Sequence, residues 1–168
     1  MRRFIITLAA VIFSIGATFA QKYIVVDSEK IFRSIAEYNS AISTLDSMAN
    51  EYQQKVDKAY AEVESMYNAY ISQKQNLTAT AQQAKEQEIL AKERKVAEYQ
   101  QSVFGNDGLI KKKRIELIQP IQNRVFAAID SYAKAGGYDL VLDKASNATM
   151  LYCSEAADHT TKIIELLK

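Results

Sequence analysis

Apolar and small residues recur at alternating intervals of three and four along residues 35–70. This spacing is typical of a helix that packs in coiled-coil fashion. One row consists of Ile35, Ile42, Ala49, Val56, Val63 and Tyr70, and the other of Tyr38, Leu45, Tyr52, Ala59 and Met66. Ser34-Ile35-Ala36-Glu37 fits a capping box and predicts that the helix starts there. At a rise of 1.5 Å per residue, about 40 residues form a rod about 60 Å long.

The pattern lapses in "QKQNLTATA", residues 73–81, where Thr78 can cap a second helix. We therefore predict a helical hairpin with its tip near residues 76–79. The returning limb repeats an apolar residue every seven positions, at Ile89, Val96, Val103, Ile110 and Leu117. Its second row is poor and consists of Lys92, Tyr99, Asn106 and Lys113. One limb has a full apolar seam and the other about half of one, so some aromatic surface should remain uncovered.

Two glycines, Gly105 and Gly108, interrupt the returning limb. Each costs a helix about 1 kcal/mol relative to alanine. Asp107-Gly108 is also a turn dipeptide, but a turn would reset the helical phase, whereas the interval of seven is kept. We therefore predict that the helix continues through this segment and that the two glycines form a hinge. The alternative is that they permit close approach of the two limbs.

The remaining segments predict a small body with short strands. A β-branched run at residues 24–26 predicts one strand, after which Asp27 can cap a short helix. Gly136-Gly137 ends a helix, and "YDLVLD" (138–143) and "TMLYC" (149–153) predict two further strands. A last helix begins with Asp158 as its N-cap and His159 in its first turn. Three short strands bury little and leave edges open, so we predict a homo-oligomer whose core contains Val25, Leu140, Leu142 and Leu151.

The N-terminus has the pattern of a secretory signal. A basic start at Arg2 and Arg3 is followed by a mostly apolar run and by small residues at Thr18 and Ala20. We predict a signal peptide over residues 1–20 that is cleaved after Ala20. An uncleaved membrane anchor is the alternative, but it would need about 20 apolar residues, and this run is shorter.

Charge and reactive residues exclude several functions. Removing Arg2 and Arg3 from the 21 basic residues leaves 19 against 20 acidic residues, a net charge of −1. This balance gives no reason to expect a nucleic-acid partner. With one histidine and one cysteine, the chain offers no catalytic or metal constellation, and we predict no enzyme activity and no cofactor. Cys153 is either buried as a small apolar residue or forms an intermolecular disulfide.

In the order of its elements, the stretch from residue 21 to 168 resembles the Skp/OmpH family of periplasmic chaperones. The resemblance rests on the opening "KYIVVDSEKIF", the long hairpin, and the closing stretch from "GYDLVLDK" to "IIELLK". It implies an α+β homotrimer in which a small β-barrel body forms on trimerisation and each chain adds a long antiparallel coiled-coil tentacle. Residues 21–34 and 120–168 would form the body, and residues 35–119 the tentacle.

The resemblance also implies that the protein holds unfolded outer-membrane proteins in a cavity between the tentacles without ATP. The candidate client contacts are Met48, Tyr60, Tyr67, Tyr99 and Phe104. Alternatively, such residues only widen the packed stripe. A second hypothesis is a structural coiled-coil spacer of the cell envelope. Such a spacer should have a complete apolar seam on both limbs and no hinge.

The near-neutral charge departs from the strongly basic character of well-known family members. Electrostatic capture of clients or of anionic lipid should therefore be weaker in this chain. The densest basic run is Lys111-Lys112-Lys113-Arg114. It is either a solvated helix face or a weak contact for anionic lipid.

Overall fold

The computed structural model describes residues 22–146 and 150–168, so the predicted signal peptide and the cleavage site after Ala20 lie outside the described residues. The described elements are β1 (Tyr23–Val26), α1 (Ser28–Arg33), α2 (Ala36–Gln73), a 3₁₀ turn (Lys74–Asn76), α3 (Ala79–Phe104), α4 (Leu109–Gly136), β2 (Leu140–Asp143) and α5 (Thr160–Leu166). No helix in this part of the chain is long and apolar enough to cross a membrane. The chain divides into two compact units. We call residues 32–126 the hairpin unit, and residues up to 31 together with those from 127 onward the body.

The hairpin unit buries the predicted seam. All members of the two heptad rows are buried or half-buried, and Val56 and Leu45 are among the most enclosed. Ile89, Val96 and Val103 of α3 are buried as well. The prediction of a packed helical hairpin is confirmed, and its stability comes mainly from this apolar stripe rather than from intrinsic helix propensity.

A side-chain cap explains the start of α3 but not the start of α2. The N-cap of α2 is Ile35, which makes no side-chain capping bond, so the prediction of Ser34 as the cap was wrong by one residue. At the other end the chain passes through the 3₁₀ turn into α3. The side chain of Thr78 accepts a hydrogen bond from the backbone N–H of Ala81 at 3.3 Å. This confirms Thr78 as the predicted cap.

The returning limb consists of two helices, because α3 ends at Phe104 and α4 begins at Leu109. Gly105 is extended, with ψ of 175°. The N–H of Gly108 donates to the carbonyl of Gly105 at 2.9 Å, and Gly108 in turn accepts from Lys112 at 3.1 Å. The prediction of one continuous helix was therefore wrong. The chain nevertheless keeps its direction, since Arg124 of α4 lies 3.5 Å from Glu37 at the start of α2.

The break also changes which residues face the seam. Ile110 and Leu117, which continue the interval of seven from Val103, are only half-buried, whereas Ile118 and Val125 are buried. The buried row thus moves on by one residue across the break. The shift is hidden at residues 117 and 118, because both are apolar, and the sequence signals it only later, where Arg124 falls in the old row and Val125 in the new one.

The body is built around β1. Strands β1 and β2 are parallel, in a register that pairs Tyr23 with Leu140 and Val26 with Asp143. On the other edge of β1, the N–H of Val25 donates to Ala157 at 2.8 Å, and its carbonyl accepts from His159 at 2.9 Å. Both edges of β1 are therefore occupied, and three consecutive residues of the strand, 24–26, are buried.

Two helix ends in the body follow the predicted chemistry. Asp27 Oδ1 accepts from the N–H of Lys30 at 3.0 Å and caps α1. Gly137 has a φ of +63°, and Tyr138 donates to the carbonyl of Ala133 at 3.0 Å. Together these features form a Schellman motif that ends α4 at the predicted glycines.

The strand predicted over residues 149–153 does not form in the described part of that segment. Residues 150–153 have no regular structure, and Thr149 lies outside the described residues. The free edge of β1 is instead taken by residues 157–159. A local β-propensity could not reveal that this edge was already occupied.

Candidate functional site

Exposed aromatic side chains distinguish the hairpin from a fully covered coiled coil. Four of the predicted client contacts are at least one-third exposed, whereas Met48 is half-buried. The four are Tyr60, Tyr67, Tyr99 and Phe104. Tyr60 donates from its hydroxyl to Gln100 Oε1 at 3.1 Å, so this ring is tethered across the limbs. The uncovered aromatic surface expected from the half-seamed limb is therefore present.

Sequence reasoning missed two exposed apolar residues beside Tyr67. Ile71 of α2 and Leu90 of α3 are 48% and 50% exposed, and Tyr67 is 53% exposed. The three side chains line a groove of about 370 Å³ near the hairpin tip, together with the buried seam residues Tyr70 and Ile89. We call it the tip groove. Ile71 and Leu90 each directly follow a seam residue, and this doubling of apolar positions was the signal that could have revealed them.

Three polar side chains contact one another at one end of the tip groove. The hydroxyl of Tyr70 donates to Glu86 Oε1, and Lys74 Nζ lies 3.4 Å from the same oxygen and 5.2 Å from the centre of the Tyr70 ring. The hydrogen bonds from Tyr70 and Lys74 lower the pKa of the Glu86 carboxyl. This carboxylate therefore ties the two limbs together just below the tip.

The other carboxylate of the tip groove is Glu93. It is exposed, and within the described residues no cation lies within ion-pair distance of it. Since Lys74 and Glu86 neutralise each other, the lining of the groove carries one uncompensated negative charge.

A second cleft, of about 410 Å³, lies between α2 and α4. Its apolar lining includes Tyr38, Ile42 and Ile118, and it also includes Arg114, the last residue of the predicted basic run. Within that run, Lys111 lies 4.0 Å from Asp107 and Lys113 lies 2.6 Å from Glu116. Two of the four basic residues are therefore paired with nearby carboxylates, one in the helix break and one in α4, and contact of the run with anionic lipid stays a prediction.

The glycines of the break contact their own limb. A Cβ atom on Gly105 would collide with the backbone carbonyl of Gln101, and one on Gly108 would collide with that of Val103. The alternative prediction was that the glycines permit close approach of the facing limb, but none of these collisions involves that limb. The two glycines are required by the break itself.

A family model described as "Outer membrane protein (OmpH-like)" matches residues 22–167. This chain belongs to the OmpH-like family. The resemblance inferred from the sequence is thereby confirmed. A crystal structure of an OmpH-like protein from Caulobacter crescentus CB15, described as a candidate outer membrane chaperone, is similar in fold. It has a TM-score of 0.65 at 12% sequence identity, and the match covers 86% of this chain and 82% of that chain. None of the curated proteins matched the sequence.

In this OmpH-like chain the predicted oligomer residues have mixed environments. Val25 is buried inside the body, Leu142 is half-buried, and Leu140 is about half exposed. Leu151 is 96% exposed, and the neighbouring Tyr152 is also exposed. The body of a single chain therefore presents apolar side chains at β2 and at residues 151–152.

The single histidine and cysteine have local structural roles. His159 is buried, its Nδ1 lies 2.9 Å from the Tyr132 hydroxyl, and its ring meets those of Tyr132 and Tyr138 edge-on. The N-cap of α5 is His159, so the prediction of Asp158 as the cap was wrong by one residue, although the Asp158 carboxylate accepts from the N–H of Thr160 at 3.0 Å. Cys153 is a half-buried free thiol. Among the described residues no cluster of acidic, histidine and cysteine side chains could hold a metal ion.

Proposed function

We propose that this chain is an ATP-independent holdase chaperone of the periplasm that binds unfolded outer-membrane proteins. Membership of the OmpH-like family, together with the OmpH-like neighbour described as a candidate outer membrane chaperone, supports a chaperone role. The observation that carries the proposal is the row of exposed aromatic side chains on a hairpin whose own seam is already filled. Those side chains lie outside the buried seam, and their exposed ring faces are accessible to a client, although the Tyr60 hydroxyl is bonded to Gln100.

The chemistry of these side chains suits an unfolded client. Tyrosine combines a large apolar ring with a polar hydroxyl, so it can cover an apolar segment without a fixed geometry. Tyr60 and Tyr99 lie close to one height on the two limbs, because Tyr60 bonds to Gln100, and Tyr67 lies about two turns closer to the tip. A client that touches many weak sites gains affinity through multivalency, and no nucleotide is needed for such binding.

We further propose that the client is held between the hairpins of a homotrimer. Residues 21–34 and 120–168 form the β-barrel body of that trimer, and residues 35–119 form the tentacle. The exposed side chains of Leu140 and Leu151 support this proposal, because contact with a second copy would remove them from water. The helix break at Gly105 and Gly108 acts as a hinge that lets each tentacle adjust to clients of different size.

The experiment compares two triple variants. Tyr60, Tyr67 and Tyr99 are changed together to serine, and the control changes three exposed glutamines, Gln54, Gln83 and Gln87, to serine. The aromatic variant should lose most of its suppression of aggregation of an unfolded outer-membrane protein, without ATP, while keeping its helix content and oligomeric state. The control should suppress aggregation fully. Undiminished suppression by the aromatic variant would mean that these tyrosines serve packing only.

The second candidate function is a structural spacer of the envelope. The unbroken row of buried and half-buried residues along α2 favours it, since a spacer needs only a rigid rod. A spacer has no use for exposed aromatic side chains or for a broken limb. Failure of the unmodified protein to suppress aggregation at any ratio to client would support the spacer instead.

A further inference from the structure

The tip groove differs from the rest of the exposed aromatic surface because three large apolar side chains converge in it from both limbs. Tyr67 and Ile71 are four residues apart on α2 and therefore lie on one face, one turn from each other. Leu90 of α3 completes the lining. The seam residues Tyr70 and Ile89 form the buried layer behind them, so the hairpin packs without the three.

The charges of the groove are unequal. Lys74 is engaged with Glu86 and with the ring of Tyr70, so it offers little attraction to an anion. Glu93 lies three residues after Leu90 and therefore on the same face of α3, and no cation of the described residues pairs with it. An apolar recess beside one uncompensated carboxylate is complementary to a large apolar side chain that has a cation next to it.

We propose that the tip groove binds extended segments of unfolded polypeptide in which an aromatic or large aliphatic residue is flanked by lysine or arginine. The apolar side chain packs between Tyr67, Ile71 and Leu90, and the cation pairs with Glu93. This inference rests on the proposed holdase function and adds a preference to it. The preference arises from the acidic lining of this groove, although the exported chain as a whole is close to neutral.

The test uses short fluorescent peptides with one aromatic residue flanked by arginine, serine or glutamate, and measures their binding to the full exported chain by fluorescence anisotropy. The arginine-flanked peptide should bind about three- to fivefold more tightly than the glutamate-flanked one, as expected for one exposed ion pair. This difference should shrink as the salt concentration rises to several hundred millimolar.

Variants then locate the preference. Glu93→Gln should abolish it, and Glu93→Lys should reverse it. The matched control Glu64→Gln, which changes an exposed glutamate of α2 outside the groove, should leave it intact. Leu90→Ser and Ile71→Ser should each weaken binding of all aromatic peptides severalfold. Circular dichroism should show that the variants keep their helix content.

Two results would overturn the inference: equal binding of the arginine- and glutamate-flanked peptides to the unmodified protein, or a Glu93→Gln variant that keeps the preference. An assay of aggregation suppression distinguishes failure of the tip-groove inference from failure of the holdase proposal. If the unmodified protein protects an unfolded outer-membrane protein but shows no peptide preference, only the tip-groove inference is wrong. If protection itself is absent, the holdase proposal is wrong, and the peptide comparison still decides whether the groove selects cations.

Discussion

The hairpin unit and the body bury their apolar residues in different ways. In α2 and α3, every buried residue except Ala41 belongs to a row that repeats every seven positions, and the two limbs of the same chain cover each other. In the body, β1 pairs with residues more than 110 positions later in the chain, in β2 and in 157–159. The hairpin is thus complete within one chain, whereas the body leaves Leu140, Leu151 and Tyr152 exposed.

From this difference we propose separate tasks for the two units. A seam that is satisfied within one chain can carry extra exposed aromatic side chains without losing its own packing. A body with uncovered apolar side chains next to a short sheet has a reason to associate with other copies. We therefore expect changes in the hairpin to alter client binding and changes in the body to alter assembly.

The largest expected effect is on the oligomeric state, which should depend on the body and not on the hairpin. Leu142→Asp should abolish the oligomer, because it places a charge at an apolar contact of the body. Replacing residues 61–97 by a short Gly/Ser loop should leave a smaller oligomer of the same copy number, since Tyr60 and Gln100 already lie next to each other across the limbs. Light scattering of both proteins provides the measurement. A monomeric hairpin deletion would contradict the division of tasks.

A charge inside the seam should break the hairpin but not the body. Val56 is almost completely buried, and Val56→Asp should cost about 3 to 5 kcal/mol of hairpin stability because the carboxylate has no partner there. Gln54→Asp, at an exposed position of the same helix, is the control and should change the stability little. Circular dichroism during urea unfolding, combined with light scattering, should show lost helix with an intact oligomer. Loss of the oligomer in Val56→Asp would show that the two units are coupled.

Substitutions in the helix break should change the stability of the hairpin by a smaller amount, and the structure predicts whether they raise or lower it. Gly105→Ala and Gly108→Ala should each destabilise the hairpin by about 1 to 3 kcal/mol, because the new methyl group collides with a backbone carbonyl. The helix propensity of alanine alone would have predicted a gain of about 1 kcal/mol. Ser65→Ala, at an exposed position of α2, is the control. Thermal unfolding that shows higher stability for either glycine variant would mean that the limb can close into one continuous helix.

The smallest expected effect lies in the body and depends on pH. Burial alone would raise the pKa of Asp158, but hydrogen bonds from Lys144 and Thr160 outweigh it and lower that pKa from 3.8 to about 2. The ion pair with Lys144, at 2.5 Å, therefore stabilises the body above about pH 4 and is lost as the pH falls through about 2. Asp158→Asn should cost about 1 to 2 kcal/mol at neutral pH after allowance for solvent screening.

Acid unfolding checks this prediction, with Asp107→Asn as the control, because Asp107 is exposed and only weakly paired. The Asp158→Asn protein should lose less stability between pH 4 and pH 2 than the unmodified protein. Parallel acid curves for the two proteins would show that the Lys144 pair contributes nothing.

The parts of the fold that depend on short-range patterns could be predicted from the sequence. The seam of α2, the Thr78 cap and the glycine stop after α4 each depend on residues a few positions apart. The strand predicted at residues 149–153 does not form among the described residues, and the second edge of β1 pairs with residues 157–159 instead. No local pattern carries that information, since strand pairing is decided by distant segments.

The candidate site was predicted only in part for a related reason. Tyr60, Tyr67, Tyr99 and Phe104 were found because aromatic residues outside a heptad seam are conspicuous. Ile71 and Leu90 were missed because an apolar residue next to a seam position is easily taken as part of the seam. The helix break was missed because the apolar interval of seven persists across it. The signal that the buried row moves to Ile118 and Val125 comes late in the sequence, where the old row reaches Arg124.

Site-specific crosslinking tests the central claim, that exposed hairpin aromatics hold unfolded client, most directly. A photoreactive amino acid replaces Tyr67 in one protein and Gln87, an exposed polar position on the facing limb, in another. Each protein is irradiated with an unfolded outer-membrane protein in the absence of nucleotide. The account predicts a strong adduct from position 67, a weak one from position 87, and loss of both once the client has folded. No adduct at position 67, or equal adducts at the two positions, would contradict it.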